Sequence, residues 1–61
     1  MTELQKAIAN SIKLRLDALA ETGTIQEINA VINTAVDMAI AIEKLDPKFN
    51  THEFLTEIEI S

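Results

Sequence analysis

Residues 25–45 read IQEINAVINTAVDMAIAIEKL, and the spacing of their apolar side chains decides the fold. Ile28, Val31, Ala35, Met38, Ile42 and Leu45 recur at intervals of three and four, which lines side chains along one face of a helix. Ile25, Ile32, Val36, Ala39 and Ile40 form a second row beside the first. One neighbouring helix covers only one such row. The pattern therefore predicts a long helix with two packing partners, one inside the chain and one in a second copy. Ile25, Ile32, Val36, Ala39 and Ile40 are the expected subunit interface.

The signals on either side set the boundaries. The first amides of a helix lack partners, and a hydroxyl or amide side chain followed three residues later by Glu or Gln satisfies them best. Thr2 with Gln5, Thr24 with Glu27 and Asn50 with Glu53 all fit, and Phe49 and Phe54 stand at hydrophobic-staple spacing around the third start. Gly23 sits where a left-handed cap would end the first helix, so Gly23-Thr24 reads as a tight turn between antiparallel helices. Asp46-Pro47 ends the second helix, because proline pushes the residue before it out of the helical region. The expected elements are helix 3–22, helix 25–45, a linker over 46–50 and a segment over 51–60. This last segment is a short helix or, given the alternation Glu57-Ile58-Glu59-Ile60, an extended tail. The predicted class is all-α: one domain over 1–61, an antiparallel helical hairpin with a short C-terminal helix, assembling as a homo-oligomeric helical bundle.

Composition points to the same assembly. Folding a chain of 61 residues hides only about 60% of the surface its unfolded form exposes, yet 48% of these residues are hydrophobic. With Cys 0 and His 1, disulfide or metal support is closed or nearly so, leaving self-association to bury the surplus. The net charge of −5 opposes non-specific attraction to nucleic acid and anionic lipid. Residues 28–42 include Asn29, Asn33, Thr34 and Asp37 and fall short of the roughly 20 apolar residues of a membrane span. No signal-peptide pattern opens the chain, and the lack of Cys fits a reducing compartment, so the expected location is cytoplasmic.

Two polar features interrupt the apolar faces. On helix one, Leu4, Ile8, Ile12, Leu16 and Leu19 form a stripe, and Arg15 is expected near its middle, between Ile8 and Leu19 in projection, with Ser11 close by. Its stem can lie along the core edge while the head reaches water or pairs with Asp37 or Glu43. Alternatively, copies of Arg15 meet between subunits and grip a phosphate or carboxylate bidentately. On helix two, Asn29, Asn33 and Asp37 follow at intervals of four, forming an ordinary exposed edge, a polar register-setter between subunits, or a hydrogen-bonding strip for a nucleotide, base edge or partner backbone. Arg15, Asn29, Asn33 and Asp37 are thus the candidate ligand-binding residues. Phe49, Phe54, Leu55 and Ile58 make an apolar appendage expected to dock on a partner protein. His52 has no second His or Cys with which to form a metal site, and Glu3, Glu27 and Glu53 are explained by their helix N-termini. No nucleophile elbow, glycine-rich phosphate loop or His-carboxylate motif is present, so neither catalysis nor a cofactor is expected.

The first helix with Lys6, Asn10 and Lys13, the tight turn and the second long helix resemble in outline the Rop family of acidic helical-hairpin dimers. That resemblance implies binding of paired RNA loops along Lys6, Asn10 and Lys13, although no aromatic residue precedes Phe49 to supply base stacking. The residues themselves favour a stoichiometric adaptor or inhibitor of a larger protein, a class common among phage and mobile-element accessory factors. The alternatives are sequestration of a small anion such as a nucleotide between subunits, and Rop-like RNA binding.

Overall fold

The computed structural model describes residues 1–58. These are all-helical in architecture: α1 spans Glu3–Thr22, α2 Ile25–Leu45 and α3 Thr51–Ile58. The alternating residues 57 and 58 are helical, whereas Glu59 and Ile60 lie outside the described residues.

Local chemistry sets each start. The Thr2 hydroxyl accepts the Gln5 amide at 3.1 Å, and the Gln5 side-chain oxygen accepts the Thr2 amide at 3.0 Å. Thr24 and Glu27 repeat the exchange at 3.2 and 3.0 Å. The Asn50 side-chain oxygen accepts the Glu53 amide at 3.0 Å, and the Phe49 and Phe54 rings meet edge to face, 5.3 Å between centroids. Such caps contribute about 1 kcal/mol each by pairing amides that the helix leaves open.

Two terminations work differently from one another. Gly23 is extended, with φ −91° and ψ 169°, so it is not the left-handed cap expected from its position. Glycine is required there by space: a Cβ would lie 2.7 Å from Leu19 Cδ2 and 2.8 Å from the Leu19 carbonyl oxygen. That carbonyl accepts the Gly23 amide at 2.7 Å, and Thr24 opens α2 at once. At the other end of α2, Asp46 organises the linker. Its amide donates to the Ile42 carbonyl at 2.8 Å, while its carboxylate accepts from the Lys48 amide at 3.1 Å. Its other carboxylate oxygen accepts from Gln5 Nε2 at 3.4 Å, tying the end of α2 to the start of α1.

The core sits where the three helices meet. Ala9 of α1 and Ala35 and Ala39 of α2 are fully buried, and Phe49, Phe54 and Ile58 fill the space among them. Alanine at these positions brings the backbones close, and the large side chains of the C-terminal segment occupy the resulting volume. Met1, Ile8, Ile12, Leu16, Ile42 and Leu55 pack around this cluster. Although α3 is the shortest helix, α1 meets it more extensively than it meets α2.

Phe49, Phe54, Leu55 and Ile58, anticipated from the sequence as a docking appendage, are folded onto the single chain instead of projecting from it. Phe49, Phe54 and Ile58 are buried in the chain's own core, and Leu55 packs half-buried against it. In a chain with so small an interior, the two phenylalanines, its only aromatic side chains besides His52, help to close it.

Candidate interaction surface

Contact with α3 orients α2. Glu43 accepts a hydrogen bond from the Thr51 hydroxyl at 2.8 Å, and Ala39, one turn earlier, is buried in the core shared with α3. At about 100° per residue, Thr34 lies roughly 180° around α2 from Glu43. Thr34 lines an open groove of about 200 Å³ with Ile12, Ala30, Val31, Ala35 and Met38. The groove therefore lies between α1 and α2 on the side away from α3.

Its wall is nearly all carbon. The one side-chain polar group in the lining, the Thr34 hydroxyl, donates to the Ala30 carbonyl at 2.8 Å and so is satisfied within α2. Such a wall favours an apolar occupant and supplies no group aimed at charge. The row through the groove continues past it: Val31, Thr34, Met38, Ala41 and Leu45 alternate intervals of three and four, and Leu45 is 89% exposed. Leu4, one turn before Ile8 on α1, is 71% exposed.

Outside this face, Ile25 is 77%, Leu14 61% and Ile40 46% exposed. Single exposed leucines are ordinary, but five large aliphatic side chains this open on so short a chain leave much hydrophobic free energy unrealised, about 1.5–3 kcal/mol for each that becomes fully buried.

The ligand residues anticipated from the sequence are dispersed. Arg15, Asn29, Asn33 and Asp37 are all exposed, and none lines the groove. Asn33 and Asp37 stand two residues before the buried Ala35 and Ala39, about 200° away, so the strip runs along the outward side of α2. Arg15 lies off the buried centre of α1, which Ala9, Ile12 and Leu16 define. Glu43, one of its anticipated partners, receives Thr51. Of the anticipated interface row, Ala39 is fully buried by its own chain and is unavailable to a second copy. Ile32 and Val36 are half-buried, and Ile25 and Ile40 remain open.

Lys6 and Asn10 are exposed on α1, Lys13 is half-buried there, and His52 is exposed on α3. Among the described residues, no group of three or more His, Cys, Asp or Glu side chains is placed to hold a metal ion. By length and composition α2 is long and apolar enough to cross a membrane, unlike the expectation drawn from residues 28–42; buried core helices and signal sequences share that length and composition.

Sequence reasoning missed Ala30 and Thr34. Their signal was available: both belong to a run of small side chains beside Val31 and Met38, and a mid-helix threonine that bonds back to its own backbone presents little polarity. Comparison with protein-family models, curated proteins and solved structures gives no match for this chain.

Proposed function

We propose that the chain works as a small, non-enzymatic, homo-oligomeric helical interaction protein, a cytoplasmic stoichiometric adaptor or inhibitor of a larger protein of the kind carried by phages and mobile elements. The observation that carries the self-association is the apolar groove of Ile12, Ala30, Val31, Thr34, Ala35 and Met38, with Leu45 projecting beside it, while Leu14, Ile25 and Ile40, open outside that face, are left for a larger protein. A wall with no unpaired polar group suits a protein surface better than a charged small molecule.

In this reading α1 and α2 form an antiparallel hairpin, which the Gly23-Thr24 turn and the Gln5–Asp46 hydrogen bond support. Although α2 is long and apolar enough to cross a membrane, Asp37 stands mid-helix, and a carboxylate in hydrocarbon is costly, which favours an interaction helix. Sequestration of an anion needs a second copy to enclose Arg15, since the residue is exposed in the single chain.

Native mass spectrometry of the protein purified from its own cells tests the proposal. The expected species is a homo-oligomer that also retains a protein partner in defined stoichiometry. A monomer carrying nothing at concentrations of about 10–50 μM, where interfaces of ordinary affinity are filled, overturns it.

A further inference from the structure

We infer that the groove face opposite α3 is a two-fold interface whose occupant is the same face of a second copy; this rests on the self-association proposed above and specifies where it occurs. Three observations carry it.

The face is self-complementary. It holds both a depression, lined by Ile12, Ala30, Val31, Thr34, Ala35 and Met38, and a projection, Leu45, on the same helical row. An isologous interface needs both elements on one surface, because each copy must supply what the other lacks. The small side chains Thr34 and Ala41 on that row, with Ala30 beside it, let a second helix approach closely.

The size of the molecule allows it: at 35 × 18 × 16 Å, a broad face covered over its whole extent supplies at most about 600 Å² per copy, about 1,200 Å² for a pair, which reaches the lower end of the range for specific stable interfaces.

The opposite side of α2 is partly occupied already. Ala39 is fully buried and Glu43 is engaged by Thr51, so α3 takes up part of the row that Ile25, Ile32, Val36 and Ile40 would otherwise offer. Among the described residues, nothing covers the groove side in this way.

Charge gives the association a recognisable salt response. Each copy carries a net charge of −5, so pairing brings like charges together and added salt strengthens it or leaves it unchanged. Anion capture at Arg15, or RNA along Lys6, Asn10 and Lys13, weakens with salt instead.

The test is sedimentation velocity on the full chain across a concentration series at low and high salt, comparing the unmodified protein with Thr34→Arg and Ile40→Arg. Both residues are exposed in the single chain, so neither substitution buries a charge in the fold. The unmodified protein is expected to dimerise, with affinity maintained or raised by salt. Thr34→Arg should weaken the dimer by about 100-fold or more while keeping its helical circular dichroism, because the charge would be buried in the seam. Ile40→Arg should remain dimeric. Should Thr34→Arg unfold, Leu45→Glu provides the same readout from a residue that is almost wholly exposed. Undiminished dimerisation in the folded groove variant overturns the assignment of this face and leaves self-association standing. A strictly monomeric unmodified chain overturns both.

Discussion

Gly23 shows how a single atom decides where a helix ends. Its backbone is extended and accessible to any residue, yet a Cβ would press on the Leu19 carbonyl oxygen at 2.8 Å and on Leu19 Cβ at 2.9 Å. The first is backbone and cannot swing aside, so α1 must loosen its last turn or the chain must enter α2 at another angle. Gly23→Ala is therefore expected to destabilise the fold by about 1–2 kcal/mol, read from the urea midpoint, even though alanine is the better helix former. A stabilised variant would show that the turn relaxes without cost. The residue was identifiable from its position in the sequence but its reason was not: position suggested a left-handed cap, whereas the crowding around Leu19 exists only after both helices are built.

At the scale of elements, the helix starts were legible and the role of α3 was not. Capping is decided within four residues, so Thr2 with Gln5 and Thr24 with Glu27 carry the whole of their own signal. Whether Phe54 and Ile58 face a partner or their own chain depends on Ala9, Ala35 and Ala39, far away in sequence, clearing a space for them. Alanines contribute weakly to a hydrophobic pattern, and the reading weighted the larger side chains instead. The same blindness affected Arg15 and the Asn29, Asn33, Asp37 strip: spacing places them on a face but does not say which way that face turns. Phe54→Ala should cost about 3–5 kcal/mol, enough to abolish the sigmoidal thermal transition in so small a domain. A loss of under about 1 kcal/mol would mean that α3 is dispensable to the fold and free to serve as an appendage after all.

For the whole molecule, the balance between interior and surface sets the behaviour. Among the described residues, the buried cluster holds three alanines and three larger side chains, while Leu45, Ile25, Leu4, Leu14 and Ile40 stand exposed. A chain so arranged draws part of its stability from association, which links folding to mass action. The thermal midpoint should rise with protein concentration, by several degrees over a hundredfold range, as followed by circular dichroism at 222 nm. A midpoint independent of concentration would mark the single chain as self-sufficient.

The three buried alanines have a consequence for how this sequence can vary. At Ala9, Ala35 and Ala39 the side chain is already fully enclosed, so a larger residue must push helices apart and glycine must loosen them. At Leu45, Ile25 and Leu4, by contrast, almost any residue leaves the isolated fold intact. A saturation library selected for folding alone would thus be most restrictive at its blandest letters and permissive at several of its greasiest. Selection for assembly would then restore the restriction at Leu45, and the difference between the two maps would trace the contact surface without a structure of the complex.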